Sequence, residues 1–274
     1  MTSITNVASK RRLNDGNEIP CVGFGVYNSN PGQETEQAVL WALEAGYRHI
    51  DTATIYGNEA SVGKAIAESG LPREMIFITT KLWNSSQGYE ETIAACEKSL
   101  KLLGTDYVDL YLIHSPSPGK ELRLASWKAL EKLKREGKIK SIGVSNYGKH
   151  HLQELLECCT IKPAITPYLA RPDIEDFCKE NDILIEAYSP LTMGEKLNEQ
   201  TLQSIAKKYK KSTAHTLLRW SLQHGYVPLP KSVRQERIIS NTQVFDFDIE
   251  KSDMDTLDSL DEYFVTEWDP TKYD

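Results

Sequence analysis

Short apolar, mostly β-branched runs alternate along this chain with longer stretches of helical spacing, and the alternation persists to its far end. Eight runs read as strands: 22–26, 48–53, 76–82, 108–114, 139–145, 162–166, 183–189 and 227–232. Between them, residues 34–45 place Ala38, Trp41, Ala42 and Ala45 on one helical face, and residues 90–103 do the same with Ile93, Cys96, Leu100 and Leu103. Each strand thus feeds a helix. Eight such units predict an α/β fold, a closed (β/α)8 (TIM) barrel, rather than an open doubly wound sheet. An open sheet would carry a glycine-rich nucleotide loop after its first strand, whereas here Gly23-Phe24-Gly25 runs into Val26, Tyr27 and Asn28 with no third glycine. Ahead of the first strand, Asn14-Asp15-Gly16 separates two short extended pieces, which predicts a β-hairpin across the bottom of the barrel.

Length and composition narrow the class further. At about 150 residues per domain, 274 residues suggest two domains, but α/β barrels of about 250 residues form one. No linker, charge block or repeat divides the chain, so residues 1–274 are expected to form a single domain. With 40% hydrophobic and 26% charged residues the chain is not disordered. Lys and Arg number 32 against 39 Asp and Glu, a net charge of -7, so no global positive field draws it to nucleic acid and any anion must be held locally. The five cysteines (Cys21, Cys96, Cys158, Cys159, Cys178) show no CxxC spacing, which suits a reducing cytoplasm. The first residues lack the apolar core of a signal peptide, and no stretch reaches the ~18 apolar residues of a membrane span. A soluble, unprocessed cytoplasmic protein, monomer or weak dimer, with no nucleic-acid or membrane partner, is expected.

A barrel carries its chemistry at the C-terminal ends of its strands. The second run ends near Asp51, the third near Lys81 and the fourth at His114; the fifth closes on Ser145-Asn146, the seventh on Tyr188-Ser189 and the eighth on Lys231-Ser232. Taken singly, a terminal carboxylate can be a helix cap, a lysine an ion-pair partner and a histidine a turn ligand. Three such groups on consecutive strands at one mouth predict a site. Beside Asp51, Lys81 is held charged, and its ammonium favours the phenolate of a neighbouring tyrosine. Tyr56, five residues beyond Asp51, is placed to be that tyrosine: a general acid for a carbonyl oxygen becoming an alkoxide, with His114 orienting the same oxygen.

The stretches Gly46-Tyr47-Arg48-His49-Ile50-Asp51-Thr52-Ala53, Tyr56-Gly57-Asn58-Glu59, Thr80-Lys81-Leu82-Trp83, Asp109-Leu110-Tyr111-Leu112-Ile113-His114, Gly143-Val144-Ser145-Asn146 and Pro230-Lys231-Ser232-Val233 occur in this order. In them the chain resembles the aldo-keto reductases, above all fungal and bacterial members that reduce small aldehydes, ketones and sugar carbonyls; the resemblance extends to Trp268-Asp269-Pro270-Thr271. It implies reversible NADPH-dependent carbonyl reduction, with Asp51, Tyr56, Lys81 and His114 catalytic and Tyr56 the proton donor. It also implies cofactor contacts from Gly25, Val26, Tyr27 and Asp51, from Ser145 and Asn146 at the nicotinamide carboxamide, from Tyr188 stacked on the ring, and from Ser189 and Leu191 along the pyrophosphate. Lys231, Ser232, Val233, Arg237 and Asn241 fall at the adenosine end; Tyr27, Trp83 and His114 line the substrate pocket. Independently, Lys231, Arg234 and Arg237 with Ser232 form a cluster suited to a phosphate in an otherwise acidic chain, which favours NADPH over NADH.

The sixth strand departs from that family. Members carry an Asn-Gln pair and then His-Pro-Tyr, whereas this chain passes from Lys162-Pro163-Ala164-Ile165 through Thr166 to Pro167-Tyr168-Leu169, leaving the carboxamide without one amide partner. A break in the chain between Thr166 and Pro167, with Cα atoms beyond the ~3.8 Å of a trans peptide, is favoured over a true deletion, and a helix begins near Pro172. Two other functions remain open: a regulatory barrel that binds NADPH with weak turnover, and a Schiff-base aldolase using Lys81. His150-His151 is expected to be exposed at a helix start, Cys158-Cys159 to pack near that helix's end, and the short tail after Asp261 to leave the pocket open on one side. With no HExxH or comparable cluster, no metal is expected.

Overall fold

The computed structural model describes residues 4–167, 172–260 and 272–273. A hairpin of β1 (Lys10–Arg12) and β2 (Glu18–Pro20) precedes the barrel strands β3 (Phe24–Gly25), β4 (His49–Asp51), β5 (Phe77–Leu82), β6 (Val108–Ile113), β7 (Ile139–Val144), β8 (Ile165–Pro167), β9 (Leu184–Ala187) and β10 (Val227–Pro228). The helices between and after them are α1 (Gln33–Glu44), α2 (Glu59–Glu68), α3 (Tyr89–Leu103), α4 (Lys120–Arg135), α5 (Lys149–Cys158), α6 (Pro172–Glu180), α7 (Gln200–Lys208), α8 (Thr213–Gln223), α9 (Gln235–Ser240) and α10 (Lys251–Asp258).

Strands β3 to β7 form one parallel ladder and β8 to β10 another. Single backbone bonds close the ring: Ala164 N–H donates to Ile142 O at 2.8 Å, and Gly23 and Gly25 donate to Pro228 O and Pro230 O at 3.0 and 3.1 Å. All eight predicted strands are present but shorter than their apolar runs. At β10 the reason is chemical, because Pro228 and Pro230 accept ladder bonds but have no N–H to donate. Elsewhere the ladder continues past the strand by single bonds, Thr52 N to Thr79 O, His114 N to Leu82 O and Ser145 N to Ile113 O, at 2.9, 3.0 and 2.7 Å. These bonds hold the polar strand ends in place.

The helices bury the predicted faces: Ala38 and Ala42 of α1 and Cys96, Leu100 and Leu103 of α3 are buried, while Trp41, Ala45 and Ile93 pack against the core from its edge. A second, interior cluster fills the bottom of the barrel with Phe77, Leu110, Leu112, Ile165 and Val227, and the hairpin contributes Leu13 and Ile19 to it. Asn14 Nδ2 donates to Pro163 O and Asp182 O, and Asn17 Nδ2 to Lys140 O, so the hairpin turn is tied to the strand starts it covers. The hairpin closes the bottom, as predicted.

Two expectations fail. Thr166 and Pro167 are consecutive in β8, paired with Ile185 and Glu186, so the chain does not break between them. His151 is buried: its Nδ1 accepts from Gly148 N–H at 3.0 Å and its Nε2 lies 2.9 Å from Tyr273 O, which makes it a structural clasp, while His150 is exposed. Cys158 is exposed and Cys159 half-buried against the core. Residues Tyr168 and Leu169, the tail from Asp261 and the stretch Trp268-Asp269-Pro270-Thr271 lie outside the described residues. Among the described residues no helix is long and apolar enough to cross a membrane, and no cluster of three or more His, Cys, Asp or Glu is arranged to hold a metal.

Candidate active site

The C-terminal mouth of the barrel opens into a cavity of about 510 Å³. At its floor β4 and β5 bring Asp51 and Lys81 together, and Lys81 Nζ donates to both Asp51 oxygens at 2.7 Å and to Thr52 O at 3.0 Å. The same ammonium lies 3.3 Å from the Tyr56 hydroxyl and 5.0 Å from the centre of its ring. Burial works to lower the lysine pKa, but Asp51 first and then Tyr56 outweigh it, so Lys81 stays charged above the ordinary lysine value.

Tyr56 is delivered by one turn of 3-10 helix, Thr54–Tyr56, ended by Gly57 at φ 69°, a left-handed turn that costs glycine little. The rest of that motif is scaffold. Asn58, buried, donates to Val26 O and Ser29 O and accepts from Thr52 Oγ1, so it fastens the loop after β3 to the loop after β4. Glu59 accepts from Thr80 Oγ1 at 2.6 Å, bracing the strand that carries Lys81.

His114 faces the edges of Tyr56 and Trp83, with ring centres 5.8 and 5.1 Å away. Burial first, and then the charge of Lys81, push its pKa down to about 3, so the imidazole is neutral at working pH. Tyr27 stands against Tyr56 with ring centres 5.0 Å apart. The floor is thus an ammonium–carboxylate pair touching a phenol, roofed by aromatic rings.

A profile of the "Aldo/keto reductase family" matches residues 22–262, which spans every barrel strand and all four of these groups. The chain belongs to the aldo/keto reductase family. It is 48% identical over 261 residues to a glyoxal reductase of Bacillus subtilis, covering 93% of this chain and 94% of that one. An aldo/keto reductase structure from Brucella melitensis superposes with a TM-score of 0.91 at 48% identity, covering 94% of this chain and 100% of that one. A Bombyx mori aldo-keto reductase in complex with NADP superposes with a TM-score of 0.88 at 34% identity, covering 94% of each chain. The fold is therefore the (β/α)8 barrel, and the chain is an oxidoreductase acting on carbonyl groups.

The far wall of this reductase's cavity is mostly polar, with one aromatic ring, Tyr188. Ser145 and Asn146 line it, with Asn146 Nδ2 donating to His114 O at 2.9 Å; Tyr188, Ser189 and Leu191 follow from the loop after β9. Gly25, Lys231 and Arg237 complete that side. Lys231 Nζ donates to Asn28 O at 2.9 Å, joining the loops after β3 and β10, and Arg237 is exposed with no ion-pair partner among the described residues. Two cations with a buried serine and amide are a donor set that fits a phosphorylated nucleotide.

Of the remaining sequence-predicted residues, Val26, Ser232, Val233 and Asn241 do not line the cavity; all but Val233 are buried beside it. Sequence reasoning missed Asn28, Ile55, Met193 and Leu197, which do line it. A usable signal existed at Asn28, an asparagine just beyond a strand. Its φ is 55°, and Asn146, Ser189 and Met193 on the same wall are also left-handed, at 63°, 47° and 53°. Such conformations are uncommon for residues other than glycine, and here they gather around one cavity. Thr166, in the stretch where the sequence departs from the family, is buried and does not line the cavity, and among the described residues its hydroxyl has no hydrogen-bond partner.

Proposed function

We propose that this protein reduces aldehydes and ketones to alcohols with NADPH, reversibly, and that Tyr56 donates the proton. The observation that carries this reading is the single ammonium, Lys81 Nζ, which touches both the Asp51 carboxylate and the Tyr56 hydroxyl at the cavity floor. A charge fixed there makes the phenol a better acid where it faces substrate, and it returns to the same value after each turnover because Asp51 keeps Lys81 charged.

NADPH, when bound, supplies a hydride to the carbonyl carbon. The chain's own residues do the rest. The neutral His114 imidazole donates a hydrogen bond to the carbonyl oxygen and orients it, and Tyr56 Oη gives that oxygen its proton as negative charge develops. Trp83 and Tyr27 flank the substrate and limit water. Ser145 and Asn146 would hold the carboxamide, Tyr188 the ring, the backbone at Ser189 and Leu191 the pyrophosphate, and Lys231 and Arg237 the adenosine end, with Gly25, Tyr27 and Asp51 on the nicotinamide side; Val26, Ser232, Val233 and Asn241, which do not line the cavity, would support these groups rather than touch the cofactor. Lys231 and Arg237 favour the cofactor with the extra 2′-phosphate. Residues 1–274 act as one domain, in the cytoplasm, as a monomer or weak dimer without a nucleic-acid partner.

The Bacillus relative is named for glyoxal, so small aldehydes are the first substrates to try. Lys81 in contact with both oxygens of Asp51 argues against a Schiff-base aldolase, which needs a neutral amine. A barrel that binds NADPH with weak turnover is the second reading, favoured by the absence of an Asn-Gln pair from the sixth-strand stretch, residues 162–169. Quenching of tryptophan fluorescence by NADPH, measured beside aldehyde-dependent loss of NADPH absorbance, tests the choice. Quenching with turnover supports the reductase, and quenching without turnover on any small aldehyde supports the sensor.

A further inference from the structure

Beneath the Lys81–Asp51 pair the barrel interior holds a second carboxyl that the reaction above does not use. Glu186, on β9, is fully buried, and among the described residues neither of its oxygens has a hydrogen-bond partner. His49 Nε2 lies 3.6 Å from Oε1, and it is already engaged with Thr79 Oγ1 at 2.9 Å. His49 is on β4, and two strands, β3 and β10, separate it from β9 in the ring. The histidine spans that distance because Gly23, just before β3, leaves the space open: a Cβ on it would lie 2.5 Å from both His49 Nδ1 and the Leu229 side chain. Space vacated at Gly23 is thus filled by a ring that reaches toward Glu186.

We propose that Glu186 is a positioning residue for proton donation: facing His49 under the Asp51–Lys81 pair, its carboxyl carries a proton in the active enzyme, and loss of that proton switches Tyr56 off. The proposal rests on the reductase reading given above. A carboxylate in a dry interior needs donors, and among the described residues Glu186 has none. The charge of Lys81 is already balanced by Asp51, which it contacts through both oxygens. The titratable groups facing Glu186 are His49 and Asp51 from β4 and Lys81 from β5; β3, β8 and β10 contain none. Burial, and then Asp51, push the Glu186 carboxyl well above the ordinary glutamate range, with Lys81 pulling the other way. Burial followed by Lys81 pushes His49 down to about 3, so it is neutral and supplies no compensating charge. With Glu186 protonated, the field of Lys81 falls on Asp51 and on the Tyr56 hydroxyl. With Glu186 ionised, a second negative charge draws that field away from Tyr56 and the phenol becomes a weaker acid.

Two measurements on the intact enzyme test this. Infrared spectra of protein carrying 13C-labelled glutamate show whether a protonated glutamic acid persists at pH 8, and the pH profile of kcat for aldehyde reduction is recorded for the wild type, Glu186→Gln and Glu186→Asp. The expected result is a protonated-carboxyl band that is absent from Glu186→Gln and disappears on alkaline titration in step with the fall in kcat. In Glu186→Gln, which cannot ionise, that alkaline fall moves to higher pH, and Glu186→Asp restores a fall at lower pH. No such band at pH 8, or the same alkaline fall in Glu186→Gln as in the wild type, overturns the proposal. Should the substitutions prevent folding, the wild-type band and its titration against kcat decide alone. An enzyme that shows the band but reduces no carbonyl contradicts the reductase reading and leaves the protonation of Glu186 established separately.

Discussion

Lys81 carries more of the site than any other side chain, and its removal has two separable consequences. Lys81→Met leaves Asp51 buried without its counter-charge, which costs about 3–5 kcal/mol of stability, and it returns Tyr56 to an ordinary phenol. Urea unfolding and the pH profile of reduction are expected to report both, a lowered midpoint and a large loss of kcat at neutral pH. A variant that merely shifted its pH optimum while keeping kcat would show that the ammonium is not what activates Tyr56. Asp51, Lys81 and His114 were legible in the sequence because each stands at or near the end of an apolar run and is costly to bury, and Tyr56 because it follows Asp51 by five residues. The Glu186–His49 pair was not legible. Both residues lie inside apolar runs, and alternation along a strand says that a side chain faces inward without saying what it meets across the barrel.

Among the elements, β3 and α8 have the clearest dependence on single residues. Gly23→Ala introduces a Cβ 2.5 Å from His49 Nδ1 and from Leu229, so one of them must move; the expected cost is about 1–3 kcal/mol by urea unfolding. An unchanged midpoint would mean that the interior is looser there than its geometry implies. At the end of α8, His224 is 2.9 Å from Asp258 of α10 and 3.7 Å from Glu175 of α6, and it stacks on Tyr226 with ring centres 5.3 Å apart. Glu175 first, then Asp258, raise its pKa against burial. A raised histidine stabilises the fold fully below its unfolded pKa of about 6.5, and that contribution is lost as pH rises through the folded value. The Tm difference between the wild type and His224→Gln should therefore be largest in mildly acidic buffer and shrink as the buffer becomes alkaline; a difference independent of pH would exclude the charge. Element type was readable throughout, since the 2.0 and 3.6 periods were strong, but strand ends were not. The proline carbonyls of β10 and the single ladder bonds beyond β4, β6 and β7 depend on pairing that no local pattern records.

For the molecule as a whole, a net charge of -7 makes the local cations at the mouth decisive for an anionic cofactor. Replacing Lys231 and Arg237 together by Gln is expected to weaken NADPH much more than NADH, and rising salt should weaken NADPH in the same direction. Equal losses for both cofactors would place the two cations on the pyrophosphate or in the scaffold. The barrel itself was legible as eight repeats of one unit. The expected discontinuity at Thr166 was an error of the same global kind: residues 161–166 read as enough to cross the wall and 166–171 as too few to reach a helix near Pro172, whereas Thr166 and Pro167 are consecutive in β8 and α6 does begin at Pro172. The central claim is that Tyr56 gives the proton and takes no part in holding NADPH, and one comparison tests it most directly. Tyr56→Phe and the wild type are measured side by side for NADPH binding by fluorescence and for aldehyde-dependent NADPH consumption. The account predicts binding within a few-fold of wild type and reduction lower by about 10²–10⁴-fold, the contribution of a general acid. Tyr56→Phe that retains most of its reductase activity would contradict it.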